Sequence, residues 1–304
     1  MRIPPRAQQG NETDQVVLSD YDLPEVELAK VQVVNNPDVH QENTVMQWQT
    51  MFTELPQDWY RAVLIVPRLE SVRALATVGI ITYSLMRVDY ETWHDTRRFF
   101  RSSEIGREFA NYSVALGDGR AHLGIAAVFA GYGWLTDDSQ ALRTASQTVE
   151  SFMANGIAVQ LFKRLTGRES PAAATHHTGR WKFLPHFKQY QKHPTSYYAF
   201  PSGHISTAMG TLTVIAENYP QVGWIKPVGY TMVGALGVGL VARGMHWYSD
   251  LPVGIGLGYL FGKIVSNRDR PDVTKNSTQG GVDVTLTPGF DGQGGSRVSL
   301  AVKF

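Results

Sequence analysis

Residues 199–208 read AFPSGHISTA, a proline, two small residues and a histidine placed directly before an apolar run. Pro201 suits the first turn of a helix, and Ser202 supplies an N-cap or first-turn oxygen. A helix is therefore expected over about residues 202–217. The N–H groups of Ser202, Gly203 and His204 would then point outward, and a helix N-terminus of this kind binds phosphate readily. Gly203 lets the backbone approach an anion, and His204 would stand beside it as a proton donor. Taken alone, the stretch reads as an ordinary helix start whose histidine faces water.

Outward from it, helical periodicity dominates. The segments YRAVLIVPRLESVRALATVGIITYSLM (60–86), SEIGREFANYSVAL (103–116), AHLGIAAVFAGYGWL (121–135) and SQALRTASQTVESFMANGIAVQLFKRL (139–165) carry apolar residues three and four apart. Short Gly, Asp or Ser turns separate them. Two more helices are expected at about residues 225–243 and 247–266, which gives an all-α helical bundle. Residues 166–200 have no helical period, and a loop this long inside a domain is usually functional. Its histidines, His176, His177, His186 and His193, read as a solvated polar loop. The other reading is a substrate lid, with Trp181, Phe183, Tyr197 and Tyr198 giving apolar contact.

The ends differ in character. Residues 1–57 read as an extended polar arm, 58–267 as the helical domain, and 268–304 as a linker and β-hairpin. The hairpin signal is the alternation of Val282, Val284 and Leu286, a Gly and Asp turn, then Val298, Leu300, Val302 and Phe304. The opening MRIPPRAQQGNETDQ has no apolar h-region, so an unprocessed secretory precursor is not expected. The charge-free stretches Ala121–Thr136 and Pro227–Ala242 are each 16 residues long. Both fall short of the ~18–20 apolar residues of a spanning helix and read as buried core helices, with peripheral membrane contact left open.

Composition bounds the chemistry. With 28 Lys and Arg against 27 Asp and Glu, no global field draws nucleic acid, and any anion site must be local. The absence of cysteine excludes disulfides, thiolate metal sites and a thiol nucleophile. Beyond AFPSGHISTA, two stretches carry reactive groups. In ARGMHWYSD (242–250), His246 and Asp250 are four apart, so on a helix the carboxylate would take the imidazole N–H and leave the other nitrogen free as base or nucleophile. Arg243 adds a planar donor fork for an oxyanion. In KRLTGRESP (163–171), Lys163, Arg164 and Arg168 gather at a helix C-terminus, where cations need no function to explain them.

In this order the three motifs resemble those of the type 2 phosphatidic acid phosphatase (PAP2) family, which is similar in fold and site to vanadium haloperoxidases. The resemblance runs from Ala74 to Val265. That family carries Lys, six residues, Arg-Pro; then Pro-Ser-Gly-His; then Ser-Arg, five residues, His, three residues, Asp. Here Lys163 fits, but Ser170 takes the arginine's place ahead of Pro171, with Arg168 as a partial substitute. The second motif is complete at Pro201–His204. The third keeps His246 and Asp250, yet only two residues separate Arg243 from His246, and Ala242 replaces the serine. Either the loop is shorter and Arg243 keeps its role, the preferred alignment, or Leu240 holds the arginine's place.

The resemblance implies a metal-independent phosphatase for a phosphate monoester or a lipid pyrophosphate. Lys163, Arg243, Arg168 and the Ser202 and Gly203 amides would hold the phosphate. Neutral His246, oriented by Asp250, would attack phosphorus to form a phosphohistidine, and protonated His204 would donate to the leaving alcohol and then activate water. No metal or other cofactor is implied, and vanadate would inhibit. A bacterial envelope location, periplasmic or peripheral to the membrane, is implied with it. Two alternatives stand beside this reading. One is a vanadate-dependent haloperoxidase with vanadate as cofactor on His246, and the other a non-catalytic relative that binds a phosphorylated lipid or a partner.

Overall fold

The protein is described here by a computed structural model over residues 50–268, 283–290 and 296–303. Helices α1 (Thr50–Thr53), α2 (Leu55–Ile65), α3 (Leu69–Met86) and α4 (Asp89–Arg101) come first. The next three begin where the chain supplies a capping oxygen. Ser103 accepts the Gly106 N–H at the head of α5 (Glu104–Ala115), Asp118 the Arg120 N–H at α6 (Gly119–Thr136), and Asp138 the Gln140 and Ala141 N–H groups at α7 (Ser139–Thr166). After α7 come α8 (Phe187–Lys192), α9 (Gly203–Asn218), α10 (Ile225–Ala242) and α11 (Leu251–Asn267). The all-helical reading of this portion holds. The expected arm lies outside the described residues as far as residue 49, and helix is already present from Thr50.

The core is built on α9, which packs mainly against α11 and α7. Its apolar face, Ile205, Ala208, Met209 and Leu212, meets Val233, Leu236 and Leu240 of α10. A second cluster joins Ala62 of α2, Ala154 and Ala158 of α7, and Phe261 and Ile264 of α11. The α9–α11 contact is close because α11 presents glycines at four-residue spacing. A Cβ at Gly254 would stand 2.6 Å from the Ser202 carbonyl oxygen, and one at Gly258 only 2.2 Å from that of Ser206. That seam holds the start of α9 against the segment before α11, where the Ser202 N–H donates to the Asp250 carbonyl at 3.0 Å.

Residues 167–200 are irregular apart from α8 and short 3-10 turns, and backbone hydrogen bonds tie them down. Gly167 ends α7 in the left-handed region at φ 52°, where a Cβ would fall 2.0 Å from the Lys182 carbonyl, so only glycine fits. The Glu169 N–H donates to Arg180, that of Ser170 to Thr195, and that of Ala199 to Arg168. His176, His177, His186 and His193 are all exposed, in agreement with a solvated loop.

Two expectations change. The stretch 121–136 is not a buried core helix, because α6 packs chiefly along α7 and buries only His122, Ala126 and Gly133. Val128, Tyr132, Trp134 and Leu135 are exposed. Helix α10 buries its C-terminal half and leaves Val228, Tyr230 and Met232 exposed. With 18 residues it is, among the described residues, the one helix long and apolar enough to cross a membrane. Toward the C-terminus, β1 (Asp283–Phe290) and β2 (Ser296–Lys303) pair antiparallel, Val284 opposite Val302 and Leu286 opposite Leu300. The preceding linker, from residue 269, lies outside the described residues.

Candidate active site

The last turn of α7, the first turn of α9 and the segment Met245–Asp250 meet at one place. Ser202 caps α9, and the N–H groups of Gly203 and His204, as first-turn donors, have no acceptor within the helix. Lys163 lies beside them: a Cβ on Gly203 would be 3.7 Å from its Nζ. The Lys163 ammonium is buried and stands 5.0 Å from the centre of the Tyr198 ring. The His204 and His246 rings are 6.1 Å apart, edge to face.

His246 is fully buried. Its Nδ1 lies 2.7 Å from the Ala199 carbonyl and 3.5 Å from Asp250 Oδ2. A carbonyl can only accept, so Nδ1 carries the proton. Nε2 is then the lone-pair nitrogen, and it has no hydrogen-bond partner among the described residues. The sequence put His246 and Asp250 on one helix face, with Asp250 as the main acceptor. The structure instead sets them in a turn ahead of α11, where the carbonyl of Ala199 is the closer acceptor and Asp250 a longer, electrostatic one.

Asp250 is held from behind. Its Oδ2 accepts the Trp247 N–H at 2.7 Å, and its Oδ1 accepts from Arg168 Nη1 at 2.5 Å. Arg168, also fully buried, spends the rest of its guanidinium on Ser249 Oγ, Asp89 Oδ2 and twice on the Thr178 carbonyl. A guanidinium has five N–H donors, and five bonds use them all. Arg168 therefore has no donor for a phosphate, which corrects its expected role. It positions Asp250 instead. Asp89, at the start of α4, completes the network by accepting the Ser249 N–H and hydroxyl.

Arg243 is the second correction. It caps α10, its side chain is exposed, and its guanidinium donates to Asn111 of α5. Leu240, the other candidate for the arginine's place, is buried in the apolar cluster. Ser202 departs from expectation in its N–H, which donates to Asp250, so its part here is the N-cap. Ser170, in the arginine's place of the first motif, is buried, and its hydroxyl has no partner among the described residues. Of the residues expected around an oxyanion, Lys163, Gly203, His204 and His246 come together, with Asp250 behind them.

The electrostatics follow from burial. Desolvation, with Lys163 nearby, pushes His246 below the ordinary imidazole value against the pull of Asp250, so the ring is neutral near pH 7. Burial brings Lys163 down to about 8, opposed by Asp250. His204 is pushed down to about 4, by burial first and then by His246 and Lys163. Desolvation raises Asp89, and Arg168 opposes it. The site thus pairs a neutral imidazole with the Lys163 ammonium and a helix N-terminus. That is a set able to neutralise an oxyanion while a nitrogen attacks its central atom. Among the described residues no group of His, Asp or Glu is arranged to hold a metal ion.

The same stretch of chain is where comparison with known proteins falls. Residues 145–273 match the PAP2 superfamily. The family read from the motifs is thereby borne out for that region, which contains Lys163, His204, His246 and Asp250. A lipid A 1-phosphatase of Porphyromonas gingivalis is 31% identical to this chain over 71 residues, 23% of this chain and 16% of that protein. The matched part therefore spans about a sixth of the relative's length. A solved transmembrane PAP2 type phosphatidylglycerolphosphate phosphatase from Bacillus subtilis is 15% identical, with a TM-score of 0.41, over 64% of this chain and 94% of that one.

Proposed function

We propose that the protein is a phosphatase that cleaves a phosphate ester through a phosphohistidine on His246. The observation that carries the reading is the buried His246, whose Nδ1–H is tied to Ala199, whose Nε2 has no partner among the described residues, and whose ring faces that of His204 at the α9 N-terminus, where Lys163 also lies. In the first step Nε2 attacks phosphorus, the N–P bond forms, and the ester P–O bond breaks. The alcohol leaves with a proton from His204. In the second step water attacks phosphorus and gives a proton back to His204, the N–P bond breaks, and inorganic phosphate and neutral His246 are restored. His204 is neutral near pH 7 in the free site, and a bound phosphate dianion draws it toward the imidazolium. Lys163 and the Gly203 and His204 amides neutralise the equatorial oxygens.

The name of the lipid A 1-phosphatase relative favours a phosphorylated lipid as the substrate, and the exposed apolar helix faces favour a membrane setting. A second reading is favoured by Arg168 and Arg243, both of which bond elsewhere and leave Lys163 as the site's cation. With so little positive charge, the site binds a phosphorylated lipid without turning it over. One assay separates the two readings. Phosphate release is measured without added metal from p-nitrophenyl phosphate, phosphatidic acid, a polyprenyl pyrophosphate and a phosphorylated saccharolipid, with His246→Ala as control and vanadate as inhibitor. Release that is lost in the variant supports the phosphatase. Binding without release supports the second reading, and peroxide-driven bromide oxidation with vanadate would replace both by a haloperoxidase.

A further inference from the structure

The turn between α5 and α6 touches the side chain of His204, although no motif marks it. Gly117 is buried there, and a Cβ on it would stand 2.6 Å from the His204 Cβ and 2.9 Å from Leu236 Cδ2. Neither distance is open to a carbon atom, so the backbone of Gly117 lies flat against the base of the imidazole. On its other side the His204 ring meets His246 edge to face, the centres 6.1 Å apart.

The turn cannot easily give way. Leu116, the residue before Gly117, packs into the apolar cluster of α9 and α10, and Leu236 of that cluster is fully buried. One turn earlier in α5, Ser113 lies against Gly239 of α10 with no room for a Cβ between them. From α6 the buried His122 reaches back, its Nε2 2.8 Å from the Leu116 carbonyl. A carbonyl only accepts, so Nε2 carries the proton, and Nδ1 is left buried with no partner among the described residues. An unsatisfied buried nitrogen costs stability. What the imidazole adds over a phenyl ring of like size is the bond to Leu116.

We propose that Gly117 and His122 are positioning residues for His204: Gly117 is a wall of bare backbone that aims the ring toward His246, and His122 is the clamp that holds the wall. The effect on turnover rests on the phosphatase reading, whereas the packing does not. A general acid works only within hydrogen-bond reach of the leaving oxygen, so a small displacement of the ring is felt in the step that needs its proton.

The test uses the full chain in non-ionic micelles. By NMR, a nuclear Overhauser effect is expected between the ring protons of His204 and His246, the His204 signals being assigned by their loss in His204→Gln. It should be lost in Gly117→Ala and in His122→Phe, and kept in His122→Gln, whose amide can still donate to the Leu116 carbonyl. An effect that survives in Gly117→Ala overturns the wall, and one that survives in His122→Phe, or is lost equally in His122→Gln, overturns the clamp. Should Gly117→Ala not fold, the two His122 variants decide alone. In turnover, kcat/KM reads the step that forms the phosphohistidine. For an alkyl phosphate it should fall about 100-fold in Gly117→Ala, but less than about three-fold for p-nitrophenyl phosphate, whose leaving group needs no acid. Equal falls for both esters would mark a merely structural role and overturn the proposal. If the ring contact responds as expected while the unaltered protein cleaves no phosphate ester, the phosphatase reading is what falls.

Discussion

Asp89 touches neither histidine, yet its removal is expected to be felt at His246, because it anchors Arg168, which anchors Asp250. Taking one carboxylate from this buried network leaves the guanidinium short of a partner. Asp89→Ala should lose on the order of 3 kcal/mol of stability and, once folded, roughly ten-fold in kcat with KM little changed. Denaturant melts and steady-state kinetics check both. Lys163 gives a second prediction. Burial holds it at about 8, so affinity for inorganic phosphate or vanadate should fall as pH rises through that value, while in Lys163→Arg it should stay flat over the same range. Inhibition constants between pH 7 and 9 read this directly. His204, His246 and Asp250 were legible in the sequence because each motif is a few residues long. Asp89 and Gly117 were not, because Asp89 meets Ser249 across 160 positions and Gly117 is a turn glycine like many others until His204 packs on it. Arg168 and Arg243 misled because composition shows that a cation is present and says nothing of which acceptors claim it.

At the scale of elements, periodicity gave the helices and their order, since α9, α10 and α11 lie close to the expected ranges. Periodicity could not show which apolar faces find a partner, and so it placed α6 in the core. The α9–α11 seam was hidden as well, because the closeness of two helices depends on both. Gly258→Ala should cost about 1–3 kcal/mol by overpacking against the Ser206 carbonyl, read as a lowered urea midpoint. A second junction joins α2, α7 and the end of α11 through Asp58, Glu150 and Arg268. The Arg268 guanidinium bonds Glu150 and lies 3.7 Å from Asp58, so two buried carboxyls face one cation. Burial, aided by Asp58, pushes Glu150 up to about 8 from an ordinary 4.5, and burial raises Asp58 too, with Arg61 pulling it down and Glu54 up. The folded chain therefore keeps a proton that the unfolded chain has released across that window. Its stability should fall as pH rises from 4.5 through about 8. Melting temperatures at pH 5 and pH 8 should differ less in Glu150→Gln than in the unaltered protein.

Over the whole molecule, the balance of charge conceals an uneven surface. Ile105 is 84% exposed, Trp134 77% and Leu135 76%, and they have many apolar companions on α3, α5, α6 and α7. So much exposed apolar area exceeds what a solitary protein in water usually shows. In plain buffer the chain is expected to sediment as large aggregates and in non-ionic micelles as a uniform species, which analytical ultracentrifugation distinguishes. Arg168 offers a way to follow the state of the site through such changes of medium. Its guanidinium is saturated by groups from α4, from the 166–200 loop and from the segment before α11. Hydrogens so enclosed exchange slowly with water, and rotation about their C–N bonds is blocked. The Nη hydrogens of Arg168 should therefore give separate, persistent nitrogen-correlated NMR signals. These are an internal gauge that vanishes when any one of those three pieces of chain lets go.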